Sequence, residues 1–243
     1  MENKMLKEQI VTADAKPVID EGLRKYMLKV YNYMAGGLIA SALTVYTLIS
    51  TGLIAAFFNI SEYGASLSPL GWIVLLSPLV MVFVFGRYLR SGSIFAVQTC
   101  FWLFSVLMGA SIAPAMLLYT GASITRVFLI SAAMFGSLSI YGYTTKRDLT
   151  GMGTFLYMGL WGLIIASIVN IFWGGSAVYF AISVIGVAIF VGLTAYDTQK
   201  IRQMYVAGDE ELAHKAAISG ALELYLDFVN LFLYLLRLFG DRK

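Results

Sequence analysis

Charge is what this sequence has least of. Only 13% of its 243 residues are Asp, Glu, Lys or Arg, about half the ~25% typical of soluble domains, and that shortfall excludes a water-facing globular surface. A single cysteine, Cys100, rules out an intramolecular disulfide and any thiolate metal cluster. The single histidine, His214, falls in a polar stretch and is expected at the surface. Residues 1–29 hold no apolar core of signal-peptide length and mix six Lys and Arg with five Asp and Glu, so neither a secretory signal nor an acid-poor transit peptide is visible. Net charge is only +3 and its basic residues are scattered, which leaves nucleic-acid binding without support.

What fills the chain instead is hydrocarbon. Hydrophobic residues make up 59% and the mean hydropathy is +0.79. Apolar runs cover 30–58, 70–85, 94–119, 127–143, 152–173, 177–201 and 216–239. They are long enough to cross a bilayer as helices, and none alternates as a barrel strand would. The expected fold is all-α: a polytopic membrane bundle of seven helices over 30–239, with a cytoplasmic tail at 1–29 and a short C-terminal tail at 240–243. The connections are short, so neighbouring spans form antiparallel hairpins, and no extramembrane catalytic domain fits.

Lys and Arg set the expected orientation. They occupy the N-terminal tail, the second connection (Arg87, Arg90), the fourth (Lys146, Arg147) and the sixth (Arg202, Lys215, with Lys200 beside it). The first and fifth have none, and the third only Arg126. This places the N-terminus in the cytoplasm for six spans. The seventh run either crosses against that rule, carrying Arg237, Arg242 and Lys243 outward, or re-enters and returns; its length favours crossing. Gly36, Gly37, Gly159, Gly162, Gly186 and Gly192 allow close helix approach. Pro78 and Pro114 are expected to kink or break their spans. Gln98 and Asn170 read as interhelical hydrogen-bonding residues.

The chemistry sits in the last hairpin. Asp197 lies near the end of the sixth run, while Glu223 and Asp227, four apart, share one face of the seventh. A carboxylate inside a membrane span costs at least ~2.5 kcal/mol on insertion scales, so it should face the protein interior or a wet cavity. If Asp197 and Asp227 meet in apolar surroundings, both cannot be ionised cheaply, and they titrate as a coupled pair. Two carboxylates also suit a hard cation such as Ca²⁺, held weakly because tight calcium sites need six to eight oxygens. Arg87 is the candidate partner, a latch against the acids, with Arg90 read as an anchor.

Four stretches together resemble the Bax inhibitor-1 (TMBIM) family, in its bacterial branch: LMGASIAPAMLLYTG at 107–121, FGSLSIYGYTTKRDLTGMG at 135–153, LTAYDTQKI at 193–201 and LELYLDFVNLFLYLLRLFG at 222–240. The resemblance implies a seven-helix bundle with the last helix central and surrounded by the other six. It implies a pH-sensitive cation leak, chiefly of calcium, through the cell inner (plasma) membrane. The family's aspartate pair maps onto Asp197 and Asp227 and its latch arginine onto Arg87, with Glu223 accessory; no cofactor is implied beyond Ca²⁺ as a transported or weakly bound ion. The connection between the two acids looks extended by 208–213. The expected partners are the lipid bilayer, calcium and protons. Some bacterial relatives restrain a membrane-bound quality-control protease through the cytoplasmic tail, which gives the alternative of a regulatory protein acting on such a protease. An intramembrane aspartyl protease is disfavoured, because Leu224-Tyr225-Leu226-Asp227 lacks the GxGD pattern, so no enzyme is expected.

Overall fold

The computed structural model describes residues 21–61 and 64–243; of the tail expected at 1–29, residues 1–20 lie outside them and 21–29 are already helical. Seven long helices follow in order: α1 (Glu21–Ser50), α2 (Pro69–Ser91), α3 (Ile94–Met116), α4 (Gly121–Thr144), α5 (Thr150–Trp173), α6 (Ser176–Gln203) and α7 (Glu210–Phe239). Each is long and apolar enough to cross a membrane. The all-α reading of the sequence is therefore right, with a small exception after α1.

The apolar run at 30–58 does not stay helical to its end. The Thr51 hydroxyl bonds back to the Thr47 carbonyl at 2.6 Å, Gly52 turns into the left-handed region at φ 74°, and a 3₁₀ turn over Leu53–Phe57 follows. Strands β1 (Phe58–Ser61) and β2 (Gly64–Leu67) then pair antiparallel, Phe58 opposite Leu67. Hydropathy cannot register such a change, because the residues stay apolar while the backbone bonds change partners.

Helix starts follow short polar side chains. Ser68, Ser93, Thr120 and Asp209 each accept the backbone N–H three residues on, satisfying one of the orphan donors of a first turn. The Asp209 cap, set after Gly208 at φ 94°, starts α7 six residues ahead of its apolar run. His214 and Lys215 are thus helical, and most of the apparent extension at 208–213 is the first turn of α7. The prolines do not break their helices: α2 and α3 run through Pro78 and Pro114. Pro78 denies the Val74 carbonyl its usual donor, and the Ser77 hydroxyl supplies one at 2.8 Å.

Helix α7 is the axis of the bundle. It packs against α1, α3, α4 and α6, while α2 lies outside against α3 and α5 outside against α6. Four helices, not six, thus form the shell around it. Two three-helix halves result, α1–α3 and α4–α6, with the same packing pattern and α7 between them. Tyr225, Leu224 and Leu231 of α7 are fully buried. Tyr225 ends on Ser41 Oγ at 2.6 Å, and Ser41 donates to the Ser105 carbonyl at 2.7 Å, tying α1, α3 and α7 through one polar contact chain.

The last helix runs unbroken along the length of the bundle instead of turning back. Its C-terminal residues dock on the α3–α4 connection: Thr120 N–H donates to the Asp241 carbonyl at 3.0 Å, Lys243 N–H to Leu118 at 3.0 Å, and Arg126 pairs with Asp241 at 2.9 Å. Arg237 sits over the rings of Tyr179 and Tyr234, so this charge is met by aromatic faces at the far end of the bundle.

Two glycines set the closest backbone approaches between long helices. A Cβ on Gly109 would overlap the Ser41 backbone, and one on Gly142 would overlap the Ala195 carbonyl. At Gly186 and Gly192 side chains of α7 and α5 fill the space, whereas a Cβ on Gly162 would meet nothing within 4 Å. We expect Gly142→Ala to lower the stability of the detergent-solubilised protein by about 1–3 kcal/mol, the usual cost of overpacking. Gly162→Ala should leave it unchanged or slightly raised; equal melting temperatures for the two variants would refute the close contact.

Candidate functional site

The final turns of α6 are fixed by successive residues that each face a different neighbour. The Ala195 backbone lies on Gly142 of α4, and the Tyr196 ring covers Gly153 of α5. Thr198 Oγ1 is 3.0 Å from Ser139 Oγ of α4. Gln199 accepts the Leu149 N–H at 2.9 Å and donates to the Arg147 carbonyl at 2.7 Å, pinning the α4–α5 connection. Arg202 donates to the Tyr143 carbonyl at 2.8 Å, where the dipole of α4 favours a cation. Between these anchors Asp197 points inward, 3% exposed.

Asp227 of α7 meets it there, 4% exposed. The two carboxyl groups lie within hydrogen-bonding reach of each other. Neither carboxylate brings a donor, so the contact becomes a hydrogen bond only when one carries a proton. Asp227 Oδ2 has no hydrogen-bond partner among the described residues. Asp197 Oδ1 accepts from the Tyr157 hydroxyl of α5 at 3.1 Å and lies 3.9 Å from Lys200 Nζ. Lys200 in turn pairs with Glu223 at 2.8 Å. Antiparallel packing of α6 on α7 accounts for the juxtaposition. Lys200 faces Glu223 and Ile201 faces Gly220, so a residue near the end of α6 meets one seventeen positions into α7, and the early start of α7 makes up the axial difference.

A cavity of about 550 Å³ opens at the end of the bundle where α1 begins, lined by Lys25, Lys29, Asp209, Glu210 and His214. Tyr26 forms part of its wall, packs with its ring tilted 43° against Tyr205, centroids 5.5 Å apart, and lies in electrostatic reach of Glu223. Its hydroxyl is buried without a partner among the described residues. Tyr26 is thus common to the wall of this vestibule and the surroundings of Glu223.

Three of the four sequence-derived site residues come together: Asp197, Asp227 and Glu223. Arg87 does not join them. It is exposed on α2, which packs against α3, and among the described residues no ion pair or side-chain hydrogen bond links it to the acids. The cation at the site is Lys200, which sequence reasoning took only as a boundary charge, although its i,i+3 spacing from Asp197 was a usable signal. Tyr157 and Tyr26 carried no such signal, because their positions depend on how α5 and α1 pack. His214 is not a surface loop residue. Half-buried, its Nε2 lies 3.1 Å from Tyr33 Oη and 3.3 Å from Gln98 Nε2, and Gln98 also bonds Tyr33, linking α1, α3 and α7. Gln98 is thus interhelical as expected; Asn170 makes no such bond, and its Oδ1 is buried without a partner among the described residues. No cluster of three or more His, Cys, Asp or Glu side chains suited to a metal occurs among the described residues, so two carboxylates and a tyrosine hydroxyl are the oxygens this pair offers.

Comparisons with known proteins give one family. The model described as inhibitor of apoptosis-promoting Bax1 matches residues 23–243. Protein RP147 of Rickettsia prowazekii is 44% identical over 96% of this chain and 97% of its own. A Caulobacter vibrioides protein is 43% identical over 93% and 92%, and the inner membrane protein YbhL of Escherichia coli is 40% identical over 91% and 94%.

The unpartnered Asp227 Oδ2 generates a stability prediction. Asp227→Asn places an amide donor against Asp197 and is expected to raise thermal stability at pH 8 by about 1.5–3 kcal/mol, the range for a hydrogen bond to a charged group. A variant melting below the wild-type protein would show that this oxygen is already satisfied.

Proposed function

The chain belongs to this Bax inhibitor-1 family, and from that premise we propose that it is a pH-sensitive cation leak, chiefly of calcium, in the cell inner membrane, with its N-terminus cytoplasmic. The observation that carries this reading is the buried Asp197–Asp227 contact, which no donor among the described residues completes. With one proton shared, the contact is a hydrogen bond and α6 stays closed on α7. With both carboxylates ionised, like charges repel at short range in a medium of low dielectric, which loosens this helix pair and creates a site for a hard cation. Two carboxylates, one hydroxyl and waters make a weak calcium site, which suits passage rather than storage.

Lys200 sets the threshold in this scheme. Its ammonium is a resident cation beside Asp197, held aside by Glu223 at 2.8 Å. Tyr26 lines the vestibule and lies in electrostatic reach of Glu223, so in this scheme an entering cation passes the tyrosine, exchanges with Lys200 and reaches the aspartates. Arg87, exposed on α2, serves as a boundary anchor rather than a latch in this state.

The test is calcium flux into liposomes carrying the purified protein between pH 6 and 8. Flux should vary with pH in the wild type and lose that dependence in both Asp197→Asn and Asp227→Asn. Lys200→Gln should raise flux several-fold at neutral pH by removing the competing cation. Folded protein with no flux above empty liposomes would overturn the reading and favour the alternative, regulation of a membrane-bound quality-control protease, for which deletion of residues 1–20 is the decisive variant.

A further inference from the structure

The two halves of the bundle leave a seam. Helices α1 and α4 both pack on α7 and touch each other only sparsely; the Tyr31 hydroxyl and Ser139 Oγ, 2.6 Å apart, bridge them. Elsewhere the seam is open. One cavity of about 540 Å³ runs along it between Leu28, Ala35 and Leu38 of α1 and Gly136 and Ile140 of α4, with Arg24 at its mouth. A second, of about 360 Å³, continues from Leu38 past Val45 and Ile49, floored by Phe228 and Phe232 of α7. Leu38 belongs to both.

The dimensions divide this cleft between two leaflets. Arg24 to Leu38 spans fourteen residues, about 21 Å of helix, and Leu38 to Ser50 another ~18 Å, together close to the ~40–45 Å of a bilayer with its headgroups. Leu38 therefore sits near the midplane and Arg24 at headgroup depth. The walls are apolar and face hydrocarbon laterally, so the occupant is an alkyl chain, whose transfer from water is favourable and undemanding of hydrogen bonds. Charge then selects the headgroup. Arg24 is exposed and has no carboxylate within ion-pair distance among the described residues. Arg202 lies 5.3 Å over the ring of Tyr143, which lines the same mouth, and Lys146 and Arg147 follow at the end of α4. The acid beside them, Asp148, is occupied: the Thr150 hydroxyl and N–H donate to its Oδ1 at 2.6 and 2.9 Å. The lining of the second cavity carries no charged residue. A basic mouth above an apolar cleft between membrane helices fits the phosphate of an anionic lipid.

We propose that the α1–α4 cleft binds an anionic phospholipid of the leaflet at the α1 end, its phosphate on Arg24 and one acyl chain along Leu28, Ala35, Gly136 and Leu38. The site is independent of ion passage, since none of these residues touches the aspartate pair. A lipid seated there supplements the sparse α1–α4 packing and holds the two halves together.

Gly136 makes the test clean, because a Cβ there meets nothing within 4 Å and a larger side chain grows into the cleft. Gly162, equally open on α5, is the control. Detergent-purified protein is mixed with phosphatidylglycerol or phosphatidylcholine, retained lipid is counted by native mass spectrometry, and melting temperature is recorded alongside. The wild type should retain phosphatidylglycerol about tenfold more strongly than phosphatidylcholine, a difference of ~1.4 kcal/mol. Arg24→Gln should abolish the preference while lipid is still retained, and Gly136→Leu should reduce retention of both lipids, with Gly162→Leu unchanged. Equal retention of the two lipids by the wild type, or equal effects of Gly136→Leu and Gly162→Leu, would overturn the proposal.

Discussion

Two carboxylates facing each other inside a helical bundle require an answer: a proton between them, a cation, or distance. Burial removes the water that would otherwise supply all three. Asp197 and Asp227 stand in that position, and much of the surrounding structure consists of groups that limit the available answers. Tyr157 supplies one hydroxyl to Asp197. Lys200 supplies a positive charge, but from 3.9 Å and while bonded to Glu223 at 2.8 Å. Asp227 takes no hydrogen bond from either group. The pair is thus under-satisfied on one side only, and an asymmetry of that kind is what a protonation-dependent contact needs.

Rigidity around the pair gives the contact leverage. Six consecutive side chains or backbone groups of α6, from Ala195 to Lys200, are engaged with α4, α5, α7 or the α4–α5 connection. Moving Asp197 means moving that whole turn. Helix α7 is anchored at both ends by different means, the His214–Tyr33–Gln98 cluster at one and the docking of Asp241 and Lys243 on the α3–α4 connection at the other. A change at the aspartates is therefore transmitted between α6 and α7 as whole helices rather than absorbed by side-chain adjustment, in keeping with the bistable behaviour of packed interfaces.

The division into two halves adds a second degree of freedom. α1–α3 and α4–α6 share α7 as a common support, and at the α1–α4 seam they have hydrocarbon-lined space in place of side-chain packing. Bundles in lipid gain little from apolar contact between helices, since the tails outside are equally apolar, so a seam left to the solvent is less costly here than in water. The polar contacts at Tyr31 and Ser139 are what fix the spacing of the two helices where they approach.

Much of this was legible in the residues themselves. Run lengths and the scarcity of charge determined seven membrane-length helices, because the bilayer core imposes a length and forbids unsatisfied backbone. The high cost of burying Asp197 and Asp227 marked them as inward-facing, and four ordered motifs indicated the family. Local chemistry that hydropathy does not weigh stayed hidden: the left-handed turn at Gly52 that ended α1 early, the Asp209 cap that started α7 early, and the Ser77 hydroxyl that kept α2 whole through Pro78. Tertiary structure alone decided that α7 runs the length of the bundle without turning back, that four helices surround it, that Lys200 rather than Arg87 stands at the acids, and that His214 is a link between helices. Those depend on which faces of which helices meet, a matter of axial stagger and rotation that residue spacing along one chain does not encode.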